Sequence, residues 1–215
     1  LILFYKIGDF VHYKRPTVKE FCSHIKGSIA LFIPQIATTI YSVFGRTLIG
    51  MLYTDINEVA FYNYAYRFTT MILYIVTTIG TVMLPRVVQI RNEGNDEEAK
   101  NITNKTLKVA LLLSLPLSIG FATVSPYFIP WFLTDSFSRV STIIAFLAPT
   151  IVFISITNVL GTQYLIPFEK TSKYTISVVS GCFISLLLNF ILIKPLGGIG
   201  AAITTSITEF AVFVI

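Results

Sequence analysis

Six polar residues, Asn63, Arg67, Thr70, Tyr74, Thr77 and Thr81, punctuate an otherwise apolar stretch at intervals of four, three, four, three and four. That spacing puts them on one face of an α-helix. Between them lie Phe68, Met71, Ile72, Leu73, Ile75, Val76, Ile79 and Val82, all lipid-compatible. A second stripe precedes this one: Gln35, Thr39, Ser42 and Arg46 are spaced four, three and four, just after Pro34. The proline should bend that helix and free a backbone carbonyl. Each stripe carries one arginine. A guanidinium binds phosphate oxygens bidentately, while hydroxyls and amides hydrate a polar solute. The chemistry on offer is passage of something polar along a wet helix face.

Arginine within a bilayer costs ~2.5–3.5 kcal/mol on insertion scales, so it is kept where it is hydrated or paired. Two readings follow for Arg46 and Arg67. They form a cationic pocket for an anionic head group, or each snorkels to the interface or pairs with Asp55 or Glu58 in the short intervening loop. Glu209 is the one acid deep in an apolar segment, and it shares a face with Thr205, Ala202 and Gly198. It is a candidate proton or cation site, or a counter-charge for a cavity arginine. The alternative is an acid near a helix end.

No catalytic constellation accompanies these residues. There is no aspartate pair in a loop, no His-Glu metal motif and no serine with a base, so the chain does not read as an enzyme. His12, Cys22 and His24 are too loosely spaced for a metal, and Cys22 with Cys182 makes no disulfide framework. Nothing calls for a cofactor. The GGIGAA run at residues 197–202 lacks a P-loop lysine and reads instead as close helix packing. Asn158, Gln163 and Asn189 suit hydrogen bonds between helices. Tyr41, Tyr62, Tyr64 and Tyr66 suit sugar stacking or a membrane interface.

The elements that must position these side chains are membrane helices. The chain is 54% hydrophobic and 13% charged, outside the usual range of a soluble domain. Its apolar residues gather into six candidate spans: 28–51, 62–84, 107–131, 140–165, 175–193 and 199–215. Each approaches or exceeds the ~20 residues a membrane helix needs. The fold class is therefore an all-α integral membrane protein embedded in the lipid bilayer. Pro85 is expected to close the second span and Glu93-Gly94-Asn95 to break the chain. Asp96 then opens a helix, its acids complementing the N-terminal dipole. The sequence opens and closes in apolar runs, so a helix is expected before Leu1 and the last one is expected to continue past Ile215.

Basic residues set the topology. Twelve of the sixteen lie in alternate connections: Lys6, Lys14, Arg15, Lys19 and Lys26; Arg86, Arg91, Lys100, Lys105 and Lys108; Lys170 and Lys173. The positive-inside rule makes that side cytoplasmic. The net charge of +5 thus reads as topology and not as nucleic-acid binding. The Asn-x-Thr sequons at Asn101 and Asn104 fall on the cytoplasmic side and read as chance matches.

The stretches FIPQIATTIYSVFGRTLIGML, FYNYAYRF, IGTVMLPRV, YFIPWFL, NVLGTQYLIP and LLLNFILIKPLGGIGAAITTSITEF together resemble the Wzx-type polysaccharide flippases of the multidrug/oligosaccharidyl-lipid/polysaccharide superfamily. The resemblance covers essentially the whole chain. It implies the C-terminal half of a transporter of about twelve helices in two six-helix lobes. Residues 1–27 would be the end of a preceding helix and a basic cytoplasmic inter-lobe loop, and residues 28–215 the six-helix lobe. The implied substrate is an oligosaccharide on a polyprenyl pyrophosphate, flipped to the outer leaflet of a prokaryotic cytoplasmic membrane for cell-surface polysaccharide. A polysaccharide polymerase and glycosyltransferases are the implied partners. Related lipid II flippases carry a cavity-facing arginine in a Tyr-Ala-Asp-Arg segment before a Gly-Thr…Leu-Pro helix end. Tyr64-Ala65-Tyr66-Arg67 and Gly80-Thr81…Leu84-Pro85 match that pattern, with Tyr66 replacing the acid. By resemblance Arg67 inherits the role, and Arg46 stands where many relatives have lysine.

Three alternatives stand beside this one. A cation-coupled multidrug exporter of the same superfamily would need intramembrane acids, and this chain offers Glu209. A membrane-embedded polysaccharide assembly enzyme would need a large catalytic loop. A scaffold that only gathers partners would leave the two stripes unexplained.

Overall fold

The computed structural model describes residues 18–53, 55 and 57–215. The expected end of a preceding helix, and the greater part of the basic stretch 1–27, lie outside the described residues. Six helices follow in order: α1 (Val18–Leu52), α2 (Asn57–Asn92), α3 (Asp96–Phe132), α4 (Ser138–Asn158), α5 (Thr171–Leu196) and α6 (Gly198–Val214). A 3-10 turn (Asp135–Phe137) leads into α4, and a π-helix (Val159–Leu165) extends it. Four of these segments, Asn57–Asn92, Asp96–Phe132, Asp135–Leu165 and Thr171–Leu196, are long and apolar enough to cross a membrane. The expected span 28–51 falls within the 35-residue α1. The 17-residue α6 is apolar but shorter.

Pro85 does not end the second helix. It lies inside α2, where its missing N–H removes one ladder bond without stopping the helix. The stop comes at Gly94, whose φ of +84° is the left-handed conformation that glycine adopts without penalty. Gly94 N–H donates to the Arg91 carbonyl (2.9 Å) and Asn95 N–H to that of Ile90 (3.2 Å), a Schellman ending. Asn95 then caps α3: its Oδ1 accepts from the Glu98 N–H (3.1 Å), and its Nδ2 donates to Glu98 Oε2 (2.8 Å). Asp96, Glu97 and Glu98 fill the first turn, as the dipole favours.

Packing differs between the two ends of the bundle. Opposite the Gly94 turn, all six helices share one apolar cluster, built on Leu48, Ile49, Tyr62, Ala65, Ile129, Val140, Ile143, Ile144, Leu147, Ile193, Ala201 and Ala202. Toward the Gly94 end the core divides. Val76, Ala110 and Val159 join α2 and α3 to the π-helix, while Ala37, Val178, Cys182 and Val212 join α1, α5 and α6. The helices are thus clamped at one end and part in two groups at the other, with α1 and α2 on opposite sides of the division.

The clamped end also holds an ion pair. Glu58, in the first turn of α2, is buried and bonds Arg139 of α4, and its Oε2 accepts the Gly198 N–H at 2.8 Å. The N-terminus of α6 is a natural seat for a carboxylate. Gly197 makes room for it. Its φ is +58°, and a Cβ there would lie 2.8 Å from Glu58 Oε2 and 3.0 Å from the Tyr53 ring. The GGIGAA run therefore serves packing, here around a buried charge. Arg46 and Arg67 do not take Glu58 as partner, because Arg139 occupies it.

Candidate functional site

Between the two helix groups lies a cavity of about 320 Å³, at the small end of ligand-site volumes (~300–1,000 Å³). α1 supplies Thr38, Tyr41 and Ser42; α2 supplies Tyr62, Tyr66, Thr69, Thr70, Leu73 and Tyr74. α4 and its π extension add Thr150, Thr157, Asn158 and Thr162, and α5 adds Tyr174. α6 adds Thr205 and Glu209. Leu147 and Tyr62 belong both to the cavity wall and to the shared core, so the core closes one end of the chamber.

The lining is rich in tyrosine and threonine, and its hydrogen bonds show what it presents. Thr69 and Thr70 donate to the carbonyls of Ala65 (2.8 Å) and Tyr66 (2.7 Å), and Thr38 to that of Pro34 (2.9 Å). Thr150, Thr157, Thr162 and Thr205 likewise bond their own helices. Each hydroxyl has spent its proton on its helix, so the oxygen faces the cavity as an acceptor. Thr205 gives its proton to Ala201, which makes Tyr62 the donor in their 3.2 Å contact. Tyr41 donates to Glu209 Oε1 at 2.8 Å across the α1–α6 boundary. Tyr62 and Tyr66 stack at 6.2 Å, and the Arg46 guanidinium lies 4.6 Å above the Tyr66 ring. Arg46 also donates to the Ser42 carbonyl from Nε (3.3 Å) and Nη2 (3.2 Å). A wall of acceptors and aromatic faces suits a ligand that donates many hydrogen bonds and has flat apolar faces, as a sugar does. One guanidinium at the edge suits an anion.

The cavity gathers some residues of the two predicted stripes and leaves others out. Ser42, Thr70, Tyr74 and Glu209 line it, and Arg46 touches its lining through Ser42 and Tyr66. Arg67 does not line it: its side chain is exposed, as are Gln35 and Thr39, while Asn63 and Thr77 are half-buried outside the lining. The reason is helical phase. α2 buries Tyr62, Ala65, Thr69, Val76, Gly80 and Val87, a seam one residue out of step with the polar stripe. One residue is about 100° of rotation, so the stripe lies beside the seam and reaches the cavity only at Thr70 and Tyr74. Tyr66 and Tyr41, which the sequence left open between sugar stacking and a membrane interface, line the chamber. The missed signal was that Tyr62, Tyr66 and Thr69 also share a face.

The expected interhelical amides divide in the same way. Gln163 Nε2, in the π-helix, donates to the Gly80 carbonyl of α2 at 3.1 Å. Asn189 bonds within its own helix, to Ser185 at 3.1 Å. Among the described residues no cluster of His, Cys, Asp and Glu could hold a metal.

Six helices clamped at one end around a polar chamber, with four segments long and apolar enough to cross a membrane, define a multi-pass membrane protein. The family model for the lipid II flippase MurJ matches residues 1–215, and the chain belongs to that family, one of transporters and not of enzymes. It is similar to the protein of Haloferax volcanii described as a probable low-salt glycan biosynthesis flippase, Agl15. The two are 23% identical over 199 residues, which are 93% of this chain and 42% of that protein. Its fold matches a solved structure of lipid II flippase MurJ in an inward closed conformation. The TM-score is 0.77 at 20% identity, over 99% of this chain and 46% of the other. The chain thus spans about half the length of the proteins it matches.

Proposed function

We propose that this chain is the C-terminal lobe of a Wzx-type flippase that moves polyprenyl-pyrophosphate-linked oligosaccharides to the outer leaflet of a prokaryotic cytoplasmic membrane. The observation that carries the reading is the chamber's lining of acceptor oxygens and tyrosine faces, with Arg46 at its edge. Sugar hydroxyls donate to the threonine oxygens and Asn158, sugar faces stack on Tyr66 and Tyr62, and the pyrophosphate meets guanidinium. The exposed stripe on α1 and α2 (Gln35, Thr39, Arg67, Tyr74) faces the partner lobe, across a central cavity that opens by rocking of the lobes. Its half-buried members Asn63, Thr70 and Thr77 continue that wall. Basic connections lie on the cytoplasmic side, and a polymerase with its glycosyltransferases supplies and consumes the substrate.

The test is glycan export by the full-length protein at matched expression. Arg46→Gln and Arg67→Gln are each expected to lower export at least about tenfold, the effect of ~1.4 kcal/mol. The matching lysine variants should retain part of the activity. Unchanged export in both glutamine variants would remove the guanidiniums from the mechanism.

A second reading concerns Glu209, whose buried carboxylate accepts from Tyr41 at the chamber wall. It carries a coupling proton or cation, as in the exporter branch of the superfamily. Glu209→Gln would then uncouple export from the ion gradient, and export with unaltered ion dependence would exclude this role.

A further inference from the structure

A second concavity, of about 310 Å³, lies between α2 and α3 and apart from the chamber. Its walls are Ile79 and Met83 of α2 with Ile102 and Val109 of α3, and it carries two cations, Arg86 and Lys105. No acid lines it. Among the described residues neither Arg86 nor Lys105 forms an ion pair, and Asp96 at this end lies with Arg91 at 3.8 Å.

The position of the two cations follows from helix length. α2 and α3 have 36 and 37 residues, roughly 54 Å each at 1.5 Å per residue, against a hydrocarbon core of ~30 Å. Both must project beyond the apolar layer. Along α2 the uncharged run ends at Arg86, and along α3 it begins after Lys108. Arg86 and Lys105 therefore stand at the boundary between apolar and polar surroundings, one on each wall of the groove, with apolar side chains between them and the bilayer interior.

We propose that this groove is a binding site for an anionic phospholipid, whose phosphodiester lies between Arg86 and Lys105 and whose acyl chain lies against Met83, Ile79 and Val109. Charge complementarity selects the head group: two unpaired cations at the edge of an apolar groove are matched by a phosphate on a lipid. A zwitterionic lipid brings its own cation to the same place and loses that advantage. The site is independent of the glycan and of the chamber. It anchors the α2–α3 hairpin to the leaflet on the basic side, and α2 is the helix whose other face lines the chamber.

The test is native mass spectrometry of the full-length protein with dioleoyl-phosphatidylglycerol and, separately, dioleoyl-phosphatidylcholine. A cation in direct contact with the lipid phosphate contributes about a fivefold change in affinity, the equivalent of ~1 kcal/mol. Arg86→Gln and Lys105→Gln should each weaken phosphatidylglycerol retention about fivefold, and the double variant about twenty-five-fold. Lys108→Gln/Lys173→Gln removes the same charge at the same end but outside the groove, and should stay within about twofold of wild type. Equal losses in the two double variants, or no preference of the wild type for phosphatidylglycerol, would overturn the site. A photoactivatable phosphatidylglycerol on the unmodified protein adds a test that needs no variant to fold. Its crosslinks should map to residues 79–86 and 102–109, and crosslinks confined to other helices would overturn the proposal.

Discussion

Removing the carboxylate of Glu58 should loosen the clamped end of the bundle. The side chain is 2% exposed and serves two partners, Arg139 and the Gly198 N–H. In Glu58→Ala the Gly198 N–H stays buried without an acceptor, which costs about 1–3 kcal/mol. The loss of Arg139 adds less. Its side chain is 40% exposed and rehydrates, so the guanidinium left without its partner costs only about 0–1 kcal/mol. The expected total is about 1–4 kcal/mol. Glu58→Gln keeps an acceptor near Gly198 and should cost about half as much, while Arg139→Gln leaves the buried carboxylate to the Gly198 N–H and the α6 terminus and should cost about 1–2 kcal/mol, less than Glu58→Ala. The assay is unfolding of the full-length protein in mixed micelles by detergent titration, with the Glu58/Arg139 double-mutant cycle to isolate the pair. An Arg139→Gln variant as unstable as Glu58→Ala would refute the reasoning, because the ion pair and not the helix terminus would then hold the carboxylate. So would a Glu58→Ala variant indistinguishable from wild type.

Two further outcomes follow from local geometry. Gly197→Ala combines a φ of +58° with a Cβ 2.8 Å from Glu58 Oε2, and should destabilise by more than about 1 kcal/mol. Gly120→Ala places its Cβ in open space within α3 and should be neutral or stabilising by up to about 1 kcal/mol in the same titration. A cysteine replacing Tyr74, which is 64% exposed at the chamber's edge, should react in the full-length, otherwise cysteine-free protein with a membrane-impermeant thiol reagent. One replacing Leu112, 73% exposed on the apolar surface of α3, should not. Equal labelling of the two would remove water from the α1–α2 face.

Several features of this bundle were already written in local sequence. Asp96 and the acids after it announced the start of α3, because a helix N-terminus favours carboxylates in its own first turn. Gly94 announced the end of α2, because a left-handed residue favours glycine wherever it occurs. Pro85 misled for the complementary reason: a proline stops an isolated helix, but here α2 continues for seven more residues to Asn92, packed against α3 through Val87, Ala99 and Ile102. The polar stripes were real as periodicities, yet periodicity states which residues share a face and not which way that face turns.

That orientation belongs to the tertiary structure. Tyr66 and not Arg67 enters the chamber because α2 is rotated to seat Tyr62, Ala65 and Thr69 in the core. The partner of Glu58 lies 81 residues away and that of Tyr41 lies 168 away, separations across which no local pattern carries information. By itself the sequence determined what each segment is, an apolar helix with certain residues sharing a polar face, since these depend on residues a few positions apart. Folding alone decided which faces meet, because that follows from the joint packing of six helices, and the chamber is the space this packing leaves open.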